Sequence, residues 1–320
     1  MWPVLIILLV LSILGVLKAA DIFVNNLSDL GSFFGVSDVI LGVTASAIGT
    51  SLPEFGSAMI AILTGNPDIG VGTVLGANMW NIGGILGITA IVTGPILSQK
   101  ITIKRDGLMA LGTAMILLVF LIIFHQINFI TGLVLLVAYV IYIYFLVEGQ
   151  KKEKRQQEPD KKKTRKRPVN ISKTVLNVLL GVLGLAVGCH IIVYCAVELS
   201  AIFCIPAMFA GIILAFGTTS PEFFTVITSA RKGLDNLALG TVLGSNIFNI
   251  LIGLGVPAIL ATVPVDQFVM TYDGPALILI TILLLLLLYR GNKLSRKEGL
   301  ILVGSYVVYI SLRTFMHLQQ

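Results

Sequence analysis

Charge is what this 320-residue chain has least of. Asp, Glu, Lys and Arg make up 12% of it against 56% hydrophobic residues, and mean hydropathy is +0.97. A soluble domain carries about twice that charge, so a soluble globular protein is excluded. Apolar runs of about 20 residues recur along the whole chain, each long enough to cross a bilayer. Cysteine is scarce too: Cys189, Cys195 and Cys204 all sit in apolar sequence and make no disulfide framework. No Lys or Arg precedes the first apolar run, MWPVLIILLVLSILGVL, which therefore reads as a spanning helix and not as a secretory leader. The pI near 9.2 does not imply nucleic acid, because 11 of the 22 Lys and Arg residues fall in the one stretch 151–173.

The pattern predicts an all-α, multi-pass membrane protein with ten transmembrane helices. They fall near 3–31, 37–63, 69–95, 105–125, 128–148, 173–202, 206–230, 236–262, 273–290 and 297–316. Residues 1–150 form a first five-helix unit and 173–320 a second. Between them 151–172, KKEKRQQEPDKKKTRKRPVNIS, is a basic loop expected to be disordered. With that loop in the cytoplasm, 20 of the 22 Lys and Arg lie inside, and both termini lie outside. Only Lys18 and Arg313 stand apart.

The halves repeat each other. Adding 168 to a position in the first half finds its partner without a gap from Gly49/Gly217 to Gly87/Gly255. GTVLGANMWNI (72–82) and GTVLGSNIFNI (240–250) agree at eight of eleven positions. Five spans per half is an odd number, so the second half enters the membrane from the opposite side. Inverted repeats with helices broken at the midplane are how many secondary transporters build a site open alternately to either side.

Two further segments, GTSLPE (49–54) and GTTSPE (217–222), carry the polar chemistry. An acid at bilayer depth costs on the order of 3 kcal/mol, so it is rare and faces a cavity. Pro53 and Pro221 lack an N–H and Gly49 and Gly217 loosen the chain beside them, so each helix is expected to unwind there. Unwinding would free backbone carbonyls such as those of Ala47 and Ala215. Thr50, Ser51, Thr218 and Thr219 add hydroxyls, Glu54 and Glu222 two negative charges, and Asn81 and Asn249 amide oxygens from the facing segments. Hard cations, Ca²⁺ above all, take such oxygens, whereas a soft metal wants Cys or His beside the acids. One Gly–Pro kink with one Glu is ordinarily a bent helix with a paired acid. Two copies at matching positions, each followed by a matching polar segment, point instead to a shared site.

GTSLPE and GTTSPE, with GANMWN and GSNIFN, resemble the two alpha-repeats of the cation/calcium exchanger superfamily, in particular its sodium/calcium branch. The resemblance covers nearly the whole chain except the basic loop. It implies that Glu54 and Glu222 are the central acids and that Ala47, Thr50, Ser51, Ala215, Thr218 and Thr219 give hydroxyl and carbonyl ligands. It also implies ligands at Asn81 and Asn249, with Ser245 in the second repeat. Ala77 stands where the second repeat has Ser245, so one hydroxyl is missing. The potassium-dependent branch has an aspartate where this chain has Asn249, which argues against potassium co-transport. The expected activity is antiport of Ca²⁺ against Na⁺, near three Na⁺ per Ca²⁺, with both bound as transported ions, no resident cofactor and no enzymatic reaction. A proton/calcium antiporter working through the same glutamates is the alternative, and a passive channel or an intramembrane enzyme is disfavoured. The lipid bilayer is the surrounding partner, and the chain is expected to act as a monomer in the cell membrane.

Overall fold

The computed structural model describes residues 2–33, 38–156 and 170–318, with side chains placed for all of these except 24, 27, 28, 31–33, 38–48, 150–156 and 317–318. Helices fill nearly all of it. In the first half they are α1 (Trp2–Phe33), α2 (Asp38–Leu63), α3 (Pro67–Trp80), α4 (Gly87–Thr93), α5 (Lys100–Thr102), α6 (Leu108–Phe124) and α7 (Phe129–Gln156). The second half has α8 (Ile171–Phe203), α9 (Ala207–Thr218), α10 (Ser220–Arg231), α11 (Asp235–Leu251), α12 (Gly255–Leu260), α13 (Gly274–Gly291) and α14 (Arg296–Leu318). Wider π-helical turns at Asn81–Leu86 and Ile103–Gly107 join α3 to α4 and α5 to α6, and one at Val269–Asp273 leads into α13. Among the described residues, eight helical segments are long and apolar enough to cross a bilayer. The pair α9 and α10, bent by 44°, is a ninth if counted as one span. The chain is a multi-span membrane protein.

Burial sorts these segments. The apolar windows of Pro67–Thr93 and Asp235–Leu260 are 83% buried, whereas those of the other six straight spans are 28–33% buried. The near-identical GTVLG segments therefore lie on the two central helices, and the outer helices present Leu, Ile, Val and Phe to the lipid. Small residues make the tightest crossings. A Cβ on Gly72 would stand 2.5 Å from the Met208 carbonyl, and one on Gly211 2.3 Å from the Ile69 carbonyl. Hence α3 and α9 meet backbone to backbone, as small-residue interfaces in membranes do.

Beyond residue 96 the two halves stay in step at an offset of 167. His125 and Asn292 close α6 and α13 in the left-handed conformation, with φ of 55° and 49°. Tyr142 donates to Asp106 at 3.3 Å and Tyr309 to Asp273 at 2.9 Å, each tying the last helix of its half to a π-helical turn. Two-residue ribbons link the halves: β1 (Ile96–Leu97) pairs antiparallel with β4 (Lys293–Leu294), and β2 (Gln126–Ile127) with β3 (Val263–Pro264).

Two expectations need correction. The helix around Pro53 does not break: α2 runs unbroken from Asp38 to Leu63. A proline removes only one donor, and neighbouring turns absorb that loss in a packed span. In the second half the chain does break, at Thr219, with Ser220 and Pro221 opening α10. A proline in the first turn of a helix costs no internal hydrogen bond, so the break settles there. Secondly, the basic segment is partly helical. α7 continues to Gln156 through residues of good helix propensity, and Asn170 caps α8 by accepting from the Lys173 N–H at 3.2 Å. The remainder of that loop, 157–169, lies outside the described residues.

Arg313, which stood apart from the other basic residues, is nearly fully buried. Its Nε donates to Asp273 Oδ1 at 3.1 Å, and its guanidinium stacks over Phe268 at 4.1 Å and Phe209 at 5.2 Å. A buried charge needs this kind of pairing.

Candidate cation site

Glu54, on α2, and Glu222, in the first turn of α10, have no exposed surface. They lie within electrostatic reach of each other. The residues around them come from both halves of the chain. Ser51 donates to Glu222 Oε1 at 2.9 Å across a sequence separation of 171, and Ser245 on α11 donates to the same oxygen at 3.3 Å. The Thr50 hydroxyl lies beside Glu222, and the Thr218 hydroxyl beside Glu54.

A ring of four amides is likewise built by both halves, on the helices that carry Ala77 and Ser245. Asn78 and Asn246, 168 apart, each donate Nδ2 to the other's backbone carbonyl at 3.1 Å. Asn81 Nδ2 donates to Asn246 Oδ1 at 2.9 Å, and Asn249 Nδ2 donates to Asn78 Oδ1 at 3.1 Å. Every amide NH₂ of the ring is thus committed to protein acceptors. Both oxygens of Asn78 and Asn246, backbone and side chain, are taken as well. What remains is Asn81 Oδ1 and Asn249 Oδ1, buried and without a donor. Both Glu54 oxygens and Glu222 Oε2 are in the same condition.

The chemistry of that set is one-sided. Five buried acceptor oxygens have no donor among the described residues, and three of them belong to carboxylates. An unpaired buried carboxylate costs several kcal/mol, and two side by side cost more. Only positive charge satisfies the group as a whole. Oxygen donors alone suit a hard cation, Ca²⁺ or Na⁺. Among the described residues no cluster of three or more His, Cys, Asp or Glu exists, so a soft-metal centre has no support. Cys189 comes near, its Sγ 4.0 Å from the Pro53 carbonyl, but it is a core residue packed where a Cβ on Gly56 would reach 2.7 Å.

The expected residues divide accordingly. Glu54, Glu222, Thr50, Ser51, Thr218 and Ser245 come together around the carboxylates. Asn81 and Asn249 stand one helical turn beyond Ala77 and Ser245, on the same faces of their helices. Thr219 and Ala215 behave differently from expectation. The Ala215 carbonyl is not free: it accepts the Thr219 N–H at 3.0 Å, the Thr219 hydroxyl at 2.7 Å and the Thr218 hydroxyl at 3.4 Å. The acceptor orphaned by Pro221 is the carbonyl four residues earlier, Gly217, which takes the Ser220 hydroxyl at 2.7 Å. Ala47 falls in the part of α2 whose side chains lie outside the described residues. Asn78 and Asn246 were not singled out from the sequence, although both stand unchanged in the repeated GTVLGxN segment. Ser57, three residues on from Glu54 in α2 and buried beside Cys189, was not singled out either.

The two acids are not equivalent. Glu222 Oε1 accepts from Ser51 and Ser245, while Glu54 has only the Thr218 hydroxyl beside it, and neither of its oxygens has a donor within hydrogen-bond distance among the described residues. Ala77 occupies the position corresponding to Ser245 and is fully buried. A methyl there cannot donate, which accounts for part of the difference.

Comparison with known proteins agrees with this geometry. The family model described as "sodium/calcium exchanger protein" matches residues 4–148 and 173–315. The chain is 31% identical over 311 residues to the inner membrane protein YrbG of Escherichia coli, covering 95% of each. It is 26% identical over 338 residues to the sodium/calcium exchanger MaX1 of Methanosarcina acetivorans, covering 95% of this chain and 96% of that one. Among solved structures, the sodium-calcium exchanger NCX_Mj superposes with a TM-score of 0.64 at 26% identity, covering 96% of this chain and 98% of that one. This chain belongs to the sodium/calcium exchanger family.

Proposed function

We propose that the protein is a secondary antiporter that exchanges Ca²⁺ for Na⁺ by alternating access. In this reading it has ten transmembrane helices in two inverted five-helix repeats, α2 being the tenth span. The offsets of 168 and 167, the paired ribbons and the matching Asp–Tyr contacts support the repeat. The basic loop faces the cytoplasm and the termini the other side, as the distribution of Lys and Arg favours.

One observation carries the proposal: five donorless buried oxygens, three of them from Glu54 and Glu222. With both acids ionised, the site bears two negative charges. One Ca²⁺ neutralises it, and so do two Na⁺. Because the same oxygens serve either occupant, the ions exclude each other, and that exclusion is the root of exchange. Energetics favours a third Na⁺. Extruding Ca²⁺ against a ~10⁴-fold gradient and ~100 mV costs about 10 kcal/mol. Each Na⁺ entering down a tenfold gradient returns about 3.7 kcal/mol, so two fall short and three suffice. The third ion must be held by neutral oxygens, and Asn81 Oδ1 and Asn249 Oδ1 are the neutral ones without a donor.

The test is tracer Ca²⁺ uptake into proteoliposomes under imposed Na⁺, K⁺ or proton gradients at a set membrane potential. Uptake driven by an outward Na⁺ gradient and accelerated by an inside-positive potential is the expected result, because three Na⁺ leaving for one Ca²⁺ entering carry one net positive charge outward. Electroneutral exchange would overturn the 3:1 ratio, and uptake driven by a pH step without Na⁺ would make the protein a proton/calcium antiporter.

A further inference from the structure

Asn81 and Asn249, whose side-chain oxygens have no donor among the described residues, stand where their helices lose regularity. α3 ends at Trp80, and Asn81 opens the π-helical turn Asn81–Leu86, which contains Gly83 and Gly84. α11 ends at Leu251, two residues beyond Asn249, with Gly253 and Gly255 following. Glycine and a wide turn leave the backbone more freedom than a regular helix does. Helix geometry alone therefore does not fix either amide oxygen.

The residue before each asparagine is aromatic, and its ring packs on the last helix of the opposite half. Trp80 meets Tyr306 of α14 with ring centroids 5.5 Å apart, and Phe216 of α9 at 4.4 Å. Phe248 meets Tyr139 of α7 at 5.9 Å, and Phe55 of α2 at 6.3 Å. Trp80 and Phe248 are 168 residues apart and Tyr139 and Tyr306 are 167 apart, so the repeat carries this contact in both copies.

Both tyrosines are anchored in turn. Tyr306 lies 6.2 Å from Tyr309, which donates to Asp273, and Tyr139 lies 6.5 Å from Tyr142, which donates to Asp106. In the first copy, missing side chains permit the approach. A Cβ on Gly84 would stand 1.9 Å from the Trp80 ring, and one on Gly83 2.4 Å from Tyr306 Cβ. The Tyr306 hydroxyl is buried with no hydrogen-bond partner among the described residues, so the ring and not the phenol makes the contact.

We propose that Tyr306 and Tyr139 are positioning residues for the cation site, each fixing, through the aromatic ring of the facing half, the backbone that carries one free amide oxygen. Neither has to touch an ion. The proposal rests on the exchange reading, in which these two oxygens hold the Na⁺ that the carboxylates do not neutralise. Loosening either brace should therefore weaken Na⁺ more than Ca²⁺, which keeps both glutamates. Rings that only filled the core would add stability and leave the balance between the ions alone.

The experiment is equilibrium Ca²⁺ binding to the purified full-length protein, titrated with Na⁺, beside a thermal melt. In Tyr306→Leu the Na⁺ concentration that displaces half the Ca²⁺ should rise about fivefold, the factor equivalent to ~1 kcal/mol for one buried aromatic pair. Ca²⁺ affinity without Na⁺ should change less. Tyr306→Phe, which keeps the ring, should behave as the parent. Tyr139 is only half-buried, so Tyr139→Leu makes the same test at Asn249 if Tyr306→Leu does not fold. A lower melting temperature with parental Na⁺ displacement in the leucine variants would overturn the proposal and leave exchange intact. Ca²⁺ binding indifferent to Na⁺ in the parent itself would instead overturn the exchange reading, and this inference with it.

Discussion

Asn78 and Asn246 exchange the same hydrogen bond, each side-chain amide donating to the other's backbone carbonyl at 3.1 Å. The two halves of the chain are joined at this point, and the joint also sets the direction of two further amides. Because Asn246 Oδ1 and Asn78 Oδ1 accept from Asn81 and Asn249, those residues must turn their own oxygens the other way. In the exchange reading proposed above, Asn78 and Asn246 are positioning residues for a cation they need not touch.

Removing that constraint should affect ion affinity more than turnover. In Asn78→Ala, Asn249 loses its acceptor and its NH₂ becomes free to face the cation. The half-saturating Ca²⁺ concentration should rise about tenfold, equivalent to ~1.4 kcal/mol, with a smaller change in maximal rate. Each lost buried hydrogen bond should also lower stability by about 1 kcal/mol or more. Flux measured against Ca²⁺ concentration, beside a thermal melt, separates the two effects.

Ala77 offers a gain-of-interaction test. Ser245 donates to Glu222 at 3.3 Å, and Ala77→Ser places the corresponding hydroxyl beside Glu54. Na⁺ should then inhibit Ca²⁺ uptake at lower concentration, by a factor of about three to ten for one added oxygen ligand worth ~1 kcal/mol. The mirror change, Ser245→Ala, should shift inhibition the opposite way. Na⁺ titration of Ca²⁺ uptake checks both.

The Arg313–Asp273 pair should matter to stability rather than to transport selectivity. Its side chains are 5% and 0% exposed. Breaking such a pair from one side strands a buried charge and costs about 3–5 kcal/mol. Arg313→Met should therefore lower the melting temperature strongly. Arg313→Met combined with Asp273→Asn should recover part of the loss, because no charge is then left alone. A melt of the single and double variants decides it.

Much of this architecture was legible in the chain. The spans, the acids and the 168-residue offset follow from hydropathy and spacing, because a bilayer leaves few ways to bury twenty apolar residues or to keep a glutamate. What spacing did not reveal was which polar atoms satisfy one another. Pro53 and Pro221 look alike as sequence, yet α2 continues through one and the chain breaks beside the other. The difference lies in whether surrounding turns absorb a missing donor. Ala215 was expected to offer its carbonyl, but Thr218 and Thr219 lie within reach and take it. Arg313 looked like an exception to the charge pattern until Asp273, forty residues away, was found beside it. The amide ring is the clearest case. Its four asparagines are visible in the repeated segments, but only the meeting of α3 with α11 says which oxygens are consumed and which remain.

Equilibrium Ca²⁺ binding to the purified protein, titrated with Na⁺, tests the shared site most directly. We predict one Ca²⁺ per chain, displaced by Na⁺, with binding lost in Glu54→Gln and lost equally in Glu222→Gln. Either variant retaining Ca²⁺ at parental affinity, or Ca²⁺ binding indifferent to Na⁺, would contradict the account.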